Sequence, residues 1–592
     1  MQKTKGIYGG SFIVEDLKSD TCVTPEDITE EQKLFVKMTR DFVINEIIPN
    51  EEKLEKLDYE LTKTLLGKAG EIGLLGVDVP EQFGGLELDK VSSTFISEAL
   101  SKTSSFLLSI GTQTGIGSLP IVYFGTLEQR QKYLPDIVTG TKVGAYCLTE
   151  PSAGSDALGA KTTAVLSRDS KQYILNGSKV FITNGGFADI YIVYAKVDGK
   201  HFSAFIVERD TPGFTVGPEE KKMGLKASST CPLYFDNVHI PVENLLGKVG
   251  KGHLIAFNIL NLGRHKLPTN CLGNAKEALE LSATYANART QFGTTIAKYP
   301  LIGKKLAEIN ILIYVLETMV YRIAGMFDDS MRDIDHSSPE IASQSEKAIA
   351  EYAIECSIVK VFGSEVLDFV VDEGVQIHGG YGFIQEYKIE RMYRDSRVNR
   401  IFEGTNEINR LLIPSTLFKK SAKEASPLVQ RMEEFRKEAA TFIPQSSFTN
   451  TLAKESYLVS IAKKMFLFIG GMAIGKYGEE LEKEQEIMTN LADMLIQIFA
   501  MEGIVGRTEK TISKNGENKV LNAIEMTQVF VHEAFEQIHA SALEALTTME
   551  SGEDLERQRA ILSNLFEHSP INKTARKRSI AERIVKSEKY TV

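Results

Sequence analysis

Apolar positions along this chain follow a helical period, then a strand period, then a helical period again. In "DITEEQKLFVKMTRDFVINEII", residues 27–48, Leu34, Phe35, Met38 and Phe42 fall on one predicted helical face. Thr29 with Gln32 three residues later predicts a capping box at the start of that helix. Further helices are predicted near 60–74, 91–110 and 127–138, separated by turns such as "VPEQFGGLEL". From about 143 the pattern shortens. "VGAYCLT", "YILNGSKVFITNGG", "DIYIVYAKV", "FSAFIVER", "GFTVG" and "CPLYFDNVHIP" are β-rich runs split by Gly, Asn, Asp and Pro at roughly ten-residue intervals, which predicts a small all-β unit. Helical periodicity returns over 252–289, 301–328, 340–374 and 405–419, with a polar loop at 329–339. The expected layout is mostly α with a central β domain. A leader (1–24) precedes an N-terminal helical domain (25–142), a β domain (143–248), a helical bundle (249–420) and a charged C-terminal helical extension (421–592). No fixed-period repeat interrupts it.

Composition narrows the function classes. A chain of 592 residues exceeds one ordinary domain. Net charge of −11 argues against a general nucleic-acid binder. Five scattered cysteines without a CxxC pair suggest neither a disulfide framework nor zinc, and they fit a reducing setting. Nine dispersed histidines without HExxH give a metal site no support. The first twenty residues lack an apolar signal region. The most apolar run, "MFLFIGGMAI" at 465–474, is about half of a membrane span. A cytoplasmic protein is expected. Neither a P-loop nor a Rossmann fingerprint is present.

Five short motifs remain, each ambiguous alone. "AYCLTEPSAGSDALG" (145–159) presents Thr149, Ser152 and Ser155 hydroxyls beside Gly154, which suits a pyrophosphate or flavin edge or an ordinary turn. "VFITNGG" (180–186) reads as a hairpin that could also pack beside a planar ring. Arg289 in "ARTQFG" suits a phosphate or simply a helix C-terminus. "QIHGGYGF" (376–383) opens space for a ligand or ends a helix. In "RIFEGTNEINRLL" (400–412), Thr405 is a predicted N-cap and Glu407 lies in the first turn. Glu403 precedes the cap, beside Ile401 and Phe402. Desolvation there would raise its pKa and suit a general base, although a surface-loop Glu fits the spacing equally.

Taken together, the order and spacing of these motifs resemble the acyl-CoA dehydrogenases, flavoproteins that form a trans double bond between Cα and Cβ of acyl-CoA thioesters. The resemblance runs from about 25 to 420. The "GGSFIVEDL" leader and the C-terminal block look most like the very-long-chain members. It implies FAD as cofactor, with Tyr146, Leu148, Thr149 and Ser155 lining its site and Ser155 also near the CoA arm. Phe181, where many relatives have Trp, and Thr183 would face the flavin ring. Arg289, Gln291, Phe292, Gln376, Gly379 and Gly380 would reach FAD of a neighbouring subunit, which implies a homodimer or larger oligomer. Thr405 and Glu407 would touch FAD. Asn261 and Arg264 match acyl-CoA contacts, and Gly404 would leave room for the thioester.

Glu403 matches the catalytic base. Some members place the base just before the residue matching Arg264, and that position here is Gly263. Pro300 stands where many relatives have Gln. The implied electron acceptor is an electron-transfer flavoprotein. Rival readings are an acyl-CoA oxidase that uses oxygen and a non-catalytic assembly or binding relative. Gly111, Thr112, Gly115 and Gly117 in "SIGTQTGIGSLP" fit a deep pocket for a long acyl chain, or close helix packing. The C-terminal block is expected to form a second bundle. Its "TARKRSIAERIVKSEK" tail is a candidate for peripheral membrane contact.

Overall fold

The structure, a computed structural model, describes residues 8–103, 105–423 and 427–592. The first seven residues of the expected leader therefore lie outside the described part. The first long helix, Glu30–Phe42, begins with the predicted box: Thr29 Oγ1 accepts from Gln32 N at 3.1 Å, and Gln32 Oε1 accepts from Thr29 N at 2.9 Å. Of its expected inward face, Phe42 is buried and Phe35 and Met38 pack against the core, whereas Leu34 does not. Leu34 is 68% exposed, and Val36, Thr39 and Phe42 face inward. The stripe through Val36 and Thr39 continues into buried Val43 and Ile47 of the following π-helical turn, whereas the stripe through Leu34 runs into exposed Asp41.

The predicted 91–110 helix is broken into Lys90–Leu100 and Phe106–Gln113. Ser101 and Thr103 hydroxyls donate back to the Glu98 and Leu100 carbonyls, at 2.6 and 2.8 Å, and compete with helical continuation. Likewise 340–374 divides into Ile341–Ala350 and Ala353–His378.

The central unit is one eight-stranded sheet of β1 (Gly144–Cys147), β2 (Thr163–Leu166), β3 (Gln172–Thr183), β4 (Ile190–Val197), β5 (His201–Glu208), β6 (Phe214–Val216), β7 (Thr230–Pro241) and β8 (Leu245–Leu246). Its order is β6-β7-β3-β2-β4-β5-β8, with β1 parallel beside β4. β4 explains why "IYIVY" reads as an unbroken apolar run. Ile190, Ile192 and Tyr194 enter one core, and Tyr191, Val193 and Ala195 enter another. Both faces of the strand are covered, so alternation gives no polar side.

The helices Gly252–Ala288, Pro300–Met331 and Ala353–His378 pack together behind the sheet. Against them lies a second helical layer, Ala453–Tyr477, Gln485–Asn515 and Leu521–Met549. By length and composition the helices starting at Pro300, Ala453 and Gln485 could each cross a membrane, beyond what the 465–474 run suggested. Their most apolar stretches are 94, 67 and 83% buried inside the fold, so that surface is spent on packing. The basic tail helix Lys573–Ser587 is also committed. It buries Ile580 and Ile584 beside Pro300–Met331, and Lys577 pairs with Glu308 and Glu533 at 2.6 and 2.7 Å. Part of the leader is built in as well: Gly9 and Gly10 N–H donate to Glu351 and Glu355 at 2.8 and 2.7 Å.

Candidate active site

The site grows from one strained turn. Glu403 and Gly404 both have positive φ, 57° and 82°, just before the helix Asn406–Lys423. For a non-glycine residue this conformation costs about 1–2 kcal/mol, so neighbours must hold it. Arg264 Nε donates to the Glu403 carbonyl at 3.1 Å. Lys360 Nζ and Asn409 Nδ2 donate to the Gly404 carbonyl at 2.7 and 2.8 Å. Lys360 also reaches Asn406 Oδ1 at 2.8 Å. Thr405 Oγ1 accepts from Ile408 N at 3.3 Å, as its predicted capping role requires. A Cβ at Gly404 would come within 3.1 Å of Asn409 Nδ2 and 3.4 Å of Arg264 Nη2, so the second residue of the turn is glycine for space as well as for φ.

The turn delivers the Glu403 carboxylate into a cavity of about 170 Å³ between the N-terminal helices, the sheet and the helix Gly252–Ala288. Gly263 lies opposite. A Cβ there would sit 2.9 Å from Glu403 Oε2, so this glycine makes room for the carboxylate. Oε2 is buried and has no hydrogen-bond partner. Burial pushes the Glu403 carboxyl up to about 7, against the opposing pull of Arg264 and Lys360. The apolar surroundings differ from expectation. Ile401 is 52% exposed and shields little, while Ile259, Leu262, Leu367 and Met392 join Phe402 in lining the cavity. Thr183 lines the same cavity.

Asn261 and Arg264 lie outside the lining of this cavity. They are buried and bonded to each other at 3.1 Å, and Arg264 braces the turn from behind. Tyr146 and Leu148 are nearly buried in the core, which leaves Thr149, Ser152 and Ser155 as the accessible hydroxyl-bearing side chains of their loop. Phe181 is 65% exposed and has φ of 59°, an outward aromatic held in an unfavourable conformation. Arg289, Gln291, Gly379 and Gly380 gather around a separate cavity of about 530 Å³ with Tyr285 and Tyr381. Phe292 stands at the tip of the adjacent Thr290–Thr295 hairpin, while Gln376 and Glu407 are exposed and Thr405 is half-buried.

Three profiles of one family match along the chain. They are the acyl-CoA dehydrogenase N-terminal domain at 29–141, the middle domain at 145–238 and the C-terminal domain at 250–418. A further profile, also described as an acyl-CoA dehydrogenase C-terminal domain, covers 461–565. This chain belongs to the acyl-CoA dehydrogenase family. It is 51% identical over 584 residues to a probable acyl-CoA dehydrogenase of Bacillus subtilis, covering 99% of this chain and 98% of that one. It is 34% identical to the very long-chain specific mitochondrial enzyme of Bos taurus, over 86% of this chain and 80% of that one. A solved acyl-CoA dehydrogenase from Bacillus anthracis, complexed with FAD, superimposes with a TM-score of 0.98 at 51% identity, covering 99% of this chain and 100% of that one.

The dehydrogenase family uses FAD, and the residues here fit it. A Cβ at Gly379 or Gly380 would meet nothing within 4 Å, so the backbone lies open to a ligand beside Arg289. Phe181 offers an uncovered aromatic face next to Thr183. Sequence reasoning missed Lys360 and Asn409, which brace the Glu403–Gly404 turn from behind. Lys360 had a signal: it is a lone cation inside the apolar run "CSIVKVFG".

Proposed function

We propose that this acyl-CoA dehydrogenase acts on long-chain acyl-CoA thioesters and forms trans-2-enoyl-CoA, with Glu403 as the base. The observation that carries the assignment is the unpartnered, desolvated Glu403 Oε2 in the cavity. An ionised carboxylate with pKa near 7 combines a large basic fraction at neutral pH with enough basicity to take an α-proton. The electron pair left at Cα builds charge on the thioester oxygen, where fixed donors count for most. Arg264, Lys360 and Asn409 keep the Glu403–Gly404 backbone in one orientation while this happens. FAD, when bound, supplies the acceptor for the hydrogen that leaves Cβ with its electron pair. Thr149, Ser155, Phe181, Thr183, Thr405 and Glu407 would hold it, Tyr146 and Leu148 would support that loop from the core, and Ser155 and Gly404 would border the thioester.

A second copy of the chain would complete the flavin site. Phe292 and Phe383 are 93 and 83% exposed beside the Arg289–Gly380 cavity, an apolar surface of the kind an interface covers. Arg289, Gln291, Phe292, Gln376, Gly379 and Gly380 would then meet FAD of the partner subunit. Electrons would pass to an electron-transfer flavoprotein in the cytoplasm. A high peroxide yield under air would move the enzyme to the oxidases instead.

The long chain is supported by Gly111. A Cβ there would meet nothing within 4 Å, so it borders open space in the pocket. The deciding experiment is Glu403→Gln. It is expected to retain yellow FAD and to lose about 10²–10⁴-fold or more of palmitoyl-CoA dehydrogenation. Near-normal turnover in that variant would remove Glu403 from the role.

A further inference from the structure

The helix Gly252–Ala288 carries a second kind of chemistry on its cavity face. Gly263, Lys266, Leu267, Asn270 and Asn274 all line the pocket. These positions share one helical stripe and extend about 16 Å along the axis, at 1.5 Å per residue. An acyl chain with Cα at Glu403 would lie along that stripe. A pocket for plain hydrocarbon would be apolar there, with polar groups only where orientation needs them.

This stretch is not apolar. Lys266 Nζ donates to the Thr114 carbonyl at 3.2 Å and to Thr114 Oγ1 at 2.5 Å. Its ammonium has three N–H bonds, and no carboxylate makes an ion pair with it among the described residues. The other charges nearby are already engaged. Asp78, which also lines the pocket, accepts from Lys90 Nζ at 2.5 Å and from Ser93 Oγ at 3.1 Å. Asp328 accepts the backbone N–H groups of Lys90 and Val91 at 2.5 and 3.2 Å. His265 is bonded to the Val320 carbonyl and held near 4 by burial, so it is neutral. Asn270 Oδ1 is buried without a partner, and rotating that amide exchanges its two ends and presents an N–H. Burial also brings Lys266 down to about 8, against the opposing pull of the Asp78 carboxylate, which Lys90 already engages. Methylenes laid against these groups would leave them unsatisfied, at about 1–3 kcal/mol for each polar group.

We propose that the far part of the acyl pocket binds a carboxylate on the acyl chain, so that ω-carboxyacyl-CoA thioesters are preferred substrates. Lys266 supplies the positive charge and a free N–H, and Asn270 supplies a second donor. Thr114 fixes the Lys266 ammonium in place. The proposal rests on the acyl-CoA dehydrogenase reading above and adds the substrate class.

The test compares kcat/KM of the FAD-loaded enzyme on adipyl-, suberyl-, sebacyl- and dodecanedioyl-CoA with the matching plain hexanoyl-, octanoyl-, decanoyl- and dodecanoyl-CoA. At one or more lengths the ω-carboxylate should win by about 10-fold or more. Lys266→Met should lower that ratio by about 10-fold, and Lys266→Arg should keep most of it. A plain chain that wins at every length, with water filling the polar stretch, overturns the proposal. So does a ratio unchanged in Lys266→Met. If that variant fails to fold, the wild-type series decides alone. If neither series nor palmitoyl-CoA is turned over, the dehydrogenase reading falls and takes this proposal with it, whereas turnover of palmitoyl-CoA or other plain chains alone removes only the carboxylate site.

Discussion

Glu403 carries a stability cost that the proposed base role explains. A carboxyl moved from 4.5 to about 7 loses about 3 kcal/mol of folding stability once it is ionised in both states. The sign follows from proton binding. Between pH 4.5 and 7 the folded state holds the proton that the unfolded state has released, so stability falls as pH rises through that window. Glu403→Gln should therefore be more stable than wild type at pH 8, and no different at pH 4, in urea denaturation of the apoprotein. A difference independent of pH would mean that the carboxyl is not desolvated. In turnover the proposed base should give kcat/KM an acid limb near 7, rising with pH as Glu403 ionises. Lys360 lowers that value through its charge, so Lys360→Met should move the limb to higher pH and reduce kcat. An unmoved limb would confine Lys360 to a packing role.

At the scale of elements, the glycines of "SIGTQTGIGSLP" divide into two kinds. A Cβ at Gly115 would come within 2.6 Å of the Gly111 carbonyl, and one at Gly117 within 2.9 Å of the Thr112 carbonyl, so both serve close backbone packing. Gly111 alone faces open space. Gly111→Leu should thus fold normally and lose at least about 10-fold on palmitoyl-CoA while retaining butyryl-CoA, because added methylenes fill the far pocket. Equal losses on both chains would place the pocket elsewhere.

Legibility in the sequence also divides by element. The helix–sheet–helix order and the Thr405 cap were readable, because period and capping are local properties, whereas the role given to Glu403 came only with the family resemblance. The kink after Leu100 was not, since it depends on Ser and Thr hydroxyls turning back onto their own carbonyls. On the first helix Leu34 alone was misplaced, because the π-helical turn that extends the Val36 stripe leaves no mark in the pattern. Lys266 meeting Asp78 and Asn270 in one cavity is a product of tertiary structure alone.

Across the whole molecule, one buried ionic network joins segments distant in sequence. Arg507 donates to Glu26 at 2.6 Å and to Glu317 at 2.7 Å, and its guanidinium lies 4.2 Å from the Tyr314 ring centre. Tyr590 also donates to Glu317 at 2.7 Å, and Lys276 links Glu317 to Glu98. Burial would raise the Glu317 carboxyl, but Lys276 and Arg507 hold it down to about 2. This contribution is therefore full above the usual carboxylate range and is lost as pH falls from 4.5 towards 2. Arg507→Met should cost about 3–5 kcal/mol, because it leaves Glu317 short of a partner in the interior. Denaturation at pH 7 measures it, and a loss under about 1 kcal/mol would show the network to be solvated. The exposed aromatic surface acts at the same scale. Phe383→Glu should shift light scattering from a dimer towards a monomer and weaken FAD retention, whereas an unchanged mass would put the subunit contact on another face.

The network also dictates an order of events during synthesis. Glu26 leaves the ribosome long before Tyr590, yet both belong to the cluster around Glu317 and Arg507. Thr591 closes the same region through Asn310 and Asn522, at 3.1 Å each. A nascent chain that has released the sheet and the Glu403 turn must still hold the apolar flank of Pro300–Met331 uncovered until the helix Lys573–Ser587 arrives. That interval is when such a chain is most prone to aggregate, and slower growth or chaperone supply should raise the soluble yield.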